Sequence, residues 1–119
     1  MAGFFSRIFG GAQQPTWLEP SDLAANLDAP DVPLVVDVRG PGEFTGPLSH
    51  IPGAVNIPLD QFAQRVAEVT GPDRPIVLVC HTDRRSSAAA HHLRESGVAD
   101  VVVLRGGMVA WTEAGLDTA

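Results

Sequence analysis

Short apolar runs punctuate the chain at regular intervals, and polar or helix-periodic stretches separate them. Trp17-Leu18 follows Thr16, Leu34-Val35-Val36 leads into Asp37, and Ile76-Val77-Leu78-Val79 and Val101-Val102-Val103-Leu104 are continuous runs without alternation. Such runs predict strands buried on both faces. A further short strand is expected between Pro52 and Pro58, within HIPGAVNIP. Leu59, Phe62, Val66 and Val69 recur at helical spacing up to Gly71. The alanines of Ser86-Ser87-Ala88-Ala89-Ala90 predict a helix running to about Ser96, with Gly97 as its cap. A helix through Leu27 with Ser21 as N-cap and a short final helix from Met108 to Ala114 complete the pattern. Gly40-Pro41-Gly42 is expected to break the chain, with Glu43-Phe44 in a short helical turn, and Pro72 to Pro75 to form a turn.

Strands that alternate with helices predict an α/β domain with a mainly parallel sheet. Sites in such sheets form at the carboxyl ends of the strands. Asp37-Val38-Arg39, Cys80 and Arg105-Gly106-Gly107 all fall at those ends, so three separate stretches are expected to converge on one edge of the sheet.

The chain has 119 residues, enough for one domain and one core, and its net charge of −6 argues against nucleic-acid binding. No stretch reaches the ~18 apolar residues of a membrane span. The N-terminal tail, residues 1–15, is expected to be flexible or loosely packed, with the folded domain at 16–119. Its Phe4, Phe5, Ile8 and Phe9 lie at helical spacing around Arg7, which fits packing on the domain better than a membrane or partner contact. The lone cysteine excludes an internal disulfide and fits a reducing compartment, hence a cytoplasmic location.

That cysteine, Cys80, stands where the IVLV run stops, and His81, Thr82, Asp83, Arg84 and Arg85 follow it before the helix. A helix start presents unpaired N–H groups and partial positive charge, and a compact loop entering it makes an anion cradle. A thiol held there beside two arginines is set up to react as the thiolate, the nucleophilic form. Five polar residues after the thiol also predict that it lies outside the core.

The stretch VVDVRGPGEF resembles the strand, Asp-Val-Arg and downstream Glu-Phe of the rhodanese family of sulfurtransferases. SHIPGAVNIP resembles its His-Ile-Pro-Gly-Ala segment, VLVCHTDRRSSAAA its active-site loop, and LRGGMVAWTEAGL its closing Gly-Gly and Trp segment. The resemblance spans roughly Trp17 to Leu116 and implies a five-stranded, mainly parallel sheet with helices on both faces. It further implies that Cys80 accepts a sulfane sulfur from thiosulfate or a similar donor. The persulfide then passes to a thiol or cyanide. Two positions depart from the family: Asp83 and Ser49 stand where many members have glycine.

The spacing from Cys80 to Arg85 is C-x4-R, as in rhodaneses, whereas phosphatases of the same fold use C-x5-R. Loop length and the lack of a second cysteine therefore disfavour a phosphatase or arsenate reductase. An enzyme and a persulfide carrier without turnover both remain open. The resemblance makes Cys80 the sulfur acceptor and the backbone of His81, Thr82, Asp83, Arg84, Arg85 and Ser86 the anion cradle. Arg85 is expected to complete that cradle with its guanidinium. Asp37 and Arg39 are expected to make structural contacts beneath the site. His81 is read as a rim residue and not a base, His50 as a loop histidine and Trp111 as packing. His91 and His92 lack companion ligands at metal spacing, so neither metal nor cofactor is expected. The expected partners are a small-molecule sulfur donor and a thiol acceptor, with a protein thiol as a further acceptor.

Overall fold

A computed structural model describes residues 16–70 and 74–119. The expectations for the N-terminal tail, and for Pro72 and Asp73 of the turn expected at Pro72 to Pro75, lie outside the described residues. The strands are β1 (Trp17–Leu18), β2 (Leu34–Asp37), β3 (Val55–Asn56), β4 (Ile76–Val79) and β5 (Val101–Leu104). The helices are α1 (Pro20–Ala24), α2 (Pro41–Phe44), α3 (Leu59–Arg65), α4 (Ala67–Thr70), α5 (Arg84–Glu95) and α6 (Gly107–Glu113). The strands form one five-stranded sheet in the order β1-β5-β4-β2-β3, and every neighbouring pair is parallel. The expected α/β fold is therefore observed. Among the described residues no helix is long and apolar enough to cross a membrane.

Side chains alternate across a strand, so each continuous apolar run feeds two cores. Val36, Ile76, Leu78, Val101 and Val103 face one cluster, which Phe62 of α3, Val69 of α4 and Ala89, Ala90 and Leu93 of α5 close. Val35, Val77, Val79, Val102 and Leu104 face the other, closed by Leu23 of α1 and by Met108 and Trp111 of α6. β4 lies at the centre of the sheet, buried at all four positions. That explains a strand with no polar residue.

Several boundaries differ from the sequence expectation for local reasons. The first helix begins at Pro20 with Glu19 as its N-cap, not at Ser21, because proline's fixed φ suits the first helical position. It ends at Ala24 instead of Leu27. Gly40-Pro41-Gly42 does not break the chain: Pro41 opens α2, and the Glu43 carboxylate accepts a 3.2 Å hydrogen bond from the Gly40 N–H. The helical pattern after Leu59 is divided into α3 and α4 at Val66, which keeps helical dihedrals, so its apolar stripe stays in phase.

Candidate active site

Asp37 pairs in register with Val79, so the carboxyl ends of β2 and β4 lie side by side. Two residues beyond Asp37 the chain doubles back, and Arg39 returns its guanidinium to the same carboxylate. Arg39 Nη2 donates to Asp37 Oδ2 at 2.7 Å and Nε donates to Oδ1 at 3.0 Å, with both side chains buried. Arg39 Nη2 also donates to the Ser49 carbonyl at 2.6 Å, and Asn56 Nδ2 donates to the carbonyls of Asp37 and Arg39. This network ties the ends of β2 and β3 to the Ser49 loop and forms a rigid polar floor.

Cys80 follows β4 directly and is 1% exposed. The expectation of a thiol outside the core is corrected. β-strand alternation continues through residue 80 and turns the side chain onto the α3–α5 face, among Val38, Ile57 and Ala89. Polarity begins only at His81. Among the described residues the thiol's hydrogen-bond partner is Ser86, whose Oγ lies 3.2 Å and whose backbone nitrogen lies 3.4 Å from Sγ. Ser86 is itself fully buried, in the first turn of α5.

The loop between them is shaped by α6. Met108 N–H donates to the Cys80 carbonyl at 2.9 Å and Val109 N–H to the His81 carbonyl at 3.0 Å. The start of one helix thus takes up the loop's carbonyls. Among the described residues, the backbone N–H groups of His81, Thr82, Asp83, Arg84 and Arg85 make no hydrogen bond. The side chains of His81, Thr82 and Arg84 are exposed and that of Asp83 is half-buried. Asp83 occupies the N-cap position with φ −149°, so the loop does not need glycine's left-handed freedom there. Among the described residues it forms no ion pair with Arg84. At the other departure, Ser49 does adopt a left-handed φ of 53°, which glycine takes without strain.

Arg85 does not stand open. Its Nη1 and Nη2 donate to the two carboxylate oxygens of Glu43 at 2.7 and 2.9 Å, a forked pair between α5 and α2. The Arg85 hydrogen bonds above all, with the Gly40 N–H adding to them against some desolvation, hold the Glu43 carboxyl down to about 2. Those same bonds raise the Arg85 pKa, with smaller contributions from the charges of Cys80 and Asp37. The sequence pattern did not reveal this partner, although Glu43 stood three residues after Gly40, where a capping acid belongs. An open cleft of about 330 Å³ runs along Arg85, bounded by Val38, Gly40, Pro58, Leu59 and Asp60.

Other singled-out residues lie apart from the thiol. His50 stacks on Phe44 at 3.7 Å, and Trp111 is buried with its Nε1 donating to the Asp117 carbonyl. A second cavity, about 420 Å³, lies beside Trp111, Leu27 and Leu116, and the residues that line it include no cysteine, serine or threonine.

Residues 19–114 match the family described as the rhodanese-like domain. The chain belongs to that family. A protein named sulfurtransferase from Allochromatium vinosum is 37% identical over 100 residues, covering 83% of this chain and 90% of its own length. A thiosulfate sulfurtransferase of Shewanella oneidensis is 39% identical over 80 residues, covering 67% of this chain and 76% of its own length. The crystal structure of a rhodanese-related protein from Thermoplasma volcanium superposes with a TM-score of 0.75 at 27% identity, covering 87% of this chain and 96% of that one. The chain also matches longer relatives: it spans 59% of an uncharacterised Bacillus subtilis protein and 48% of one from Synechocystis. The buried thiol, Ser86 and the N–H-lined loop all fall within the residues that match the rhodanese-like domain.

Proposed function

We propose that this domain is a sulfurtransferase that moves a sulfane sulfur through a persulfide on Cys80. The Cys80 thiolate attacks the outer sulfur of thiosulfate. The bond between the donor's two sulfurs breaks, sulfite leaves with that electron pair, and the outer sulfur remains on Cys80 as a persulfide. A thiolate or cyanide acceptor then attacks that outer sulfur, and the Cys80 thiolate departs. The N–H groups of His81 to Arg85, which have no acceptor among the described residues, supply donors for the negative charge on the transferred sulfur. The expected acceptor is a small thiol or a protein thiol in a reducing compartment such as the cytoplasm.

One observation carries this reading. Cys80 Sγ sits at the end of the central strand against Ser86, at the start of a loop whose Cys80 and His81 carbonyls are bound by Met108 and Val109. A thiol 1% exposed suits a one-atom cargo better than a tetrahedral phosphate ester.

The test is intact-mass analysis after mixing with thiosulfate, followed by initial rates with cyanide. Wild type should gain one sulfur atom and give parallel double-reciprocal lines, the signature of a two-step exchange. Cys80→Ser should fold and neither gain sulfur nor turn over. Residual turnover by the folded serine variant would sink the reading.

A further inference from the structure

We propose that Glu43 sets the choice of sulfur donor, turning the site away from dianionic thiosulfate and toward a persulfide of lower charge. The proposal rests on the sulfur-transfer reading above. An arginine at the edge of an anion cradle ordinarily offers its fork of donors to an incoming oxyanion. Here both terminal nitrogens are already engaged by one carboxylate, at 2.7 and 2.9 Å. A donor's sulfonate must either displace Glu43 or approach Arg85 with that negative charge beside it. Asp60 is among the residues that bound the cleft along Arg85.

The transferred sulfur itself does not need Arg85, because the backbone N–H groups of His81 to Arg85 have no acceptor among the described residues. A persulfide R–S–SH asks nothing more of the site. The Cys80 thiolate attacks its outer sulfur, the S–S bond breaks, and RS⁻ leaves with the electron pair. The outer sulfur, with its proton, stays on Cys80. Thiosulfate carries two negative charges to the same point and expels a dianion, so it bears the larger share of the repulsion.

The test uses Glu43→Gln, which discharges the side chain and keeps an oxygen for the Gly40 N–H. Initial rates are compared with thiosulfate and with glutathione persulfide as donors, with a common acceptor. The expected result is a thiosulfate KM lowered about two- to fivefold with kcat unchanged, the size of one partly exposed charge pair. With glutathione persulfide, kcat/KM should stay within about twofold of wild type. In an Arg85→Ala background the fall in thiosulfate KM on Glu43→Gln should be smaller, because no guanidinium is released and only the direct repulsion by the carboxylate is removed. An unchanged or raised thiosulfate KM, an equal change with both donors, or the same fall in the Arg85→Ala background would overturn the proposal. If neither donor puts a sulfur atom on wild-type Cys80 by intact mass, the sulfur-transfer reading fails as well. Labelling by both donors with no KM change sinks the role of Glu43 alone.

Discussion

Gly107 packs against Cys80 through bare backbone: a β-carbon at Gly107 would overlap the Cys80 carbonyl oxygen. It would also overlap the Thr82 carbonyl and come within 2.7 Å of the His81 carbonyl. Because no side chain intervenes, the N–H groups of Met108 and Val109 reach the Cys80 and His81 carbonyls. Those bonds hold the loop's carbonyls on the α6 side. The closing Gly-Gly of the sequence is thus part of the construction of the Cys80 loop, although it lies some way along the chain from the thiol.

Gly107→Ala should therefore damage the site and the fold together. The position has φ 57°, and the overlapping atoms are backbone, which cannot rotate away. The left-handed conformation alone costs roughly 1 kcal/mol for alanine, and the overlap adds about 1–3 kcal/mol more. Urea denaturation should show a loss of at least about 2 kcal/mol, and a neutral alkylating reagent should react with Cys80 at an altered rate. An unchanged urea midpoint would mean that α6 does not brace the loop.

Arg39 makes a different kind of support. It is 1% exposed and forked onto Asp37, also 1% exposed. Arg39→Ala leaves a buried carboxylate without its partner, which typically costs about 3–5 kcal/mol. Arg39→Lys keeps the charge but loses the fork and the bond to the Ser49 carbonyl, so it should fall between the two. A chemical denaturation series over the three proteins checks the order. Equal stability of the lysine variant and wild type would show that charge alone matters there.

The strands, the central place of IVLV and the convergence on one sheet edge were legible in the sequence because burial on both faces leaves a plain pattern. A strand with a solvent-facing side would have alternated polar residues with apolar ones, and IVLV does not. The burial of Cys80 was less legible, since polarity downstream says nothing about which way residue 80 itself points; strand alternation decides that. The Glu43–Arg85 pair joins residues 42 positions apart through a loop and a four-residue helix, and no periodicity encodes such a contact. The opening of α2 was misread because Gly-Pro-Gly signals a break, while proline at a first helical position equally signals a start.

Ser86 gives a sharper probe of the chemistry. Its hydroxyl and its N–H are the only polar groups among the described residues bonded to Sγ. Ser86→Ala removes one of them and nothing else of size. A hydrogen bond to a charged group is worth about 1.5 kcal/mol, so persulfide formation should slow about tenfold. Overall stability should change by under about 1 kcal/mol, since the hydroxyl is exchanged for a methyl in an apolar cluster. Stopped-flow formation of the persulfide, with a urea titration beside it, separates the two. A tenfold loss matched by a large fall in stability would assign Ser86 to packing.

The Glu43–Arg85 pair also makes an acid-sensitive contribution to stability. Folding lowers the Glu43 carboxyl from its ordinary 4.5 to about 2, chiefly through the Arg85 hydrogen bonds. A carboxylate with a depressed value in the folded state binds its proton less readily there than in the unfolded chain. Its contribution is therefore complete above about pH 4.5 and disappears as the pH falls through about 2. The side chains are 42% and 36% exposed, so water screens the pair and its contribution is about 1 kcal/mol, well below what the shift alone would give. Glu43→Gln should accordingly be about 1 kcal/mol less stable than wild type at pH 7. The gap should narrow below pH 4.5 and close near pH 2. Added salt should shrink it at neutral pH, because the pair is partly open to solvent. Urea midpoints of both proteins across this range are the measurement. A gap that stays constant from neutral to acid pH would show that Glu43 supports the fold through its shape and its bond to Gly40, and not through its charge on Arg85.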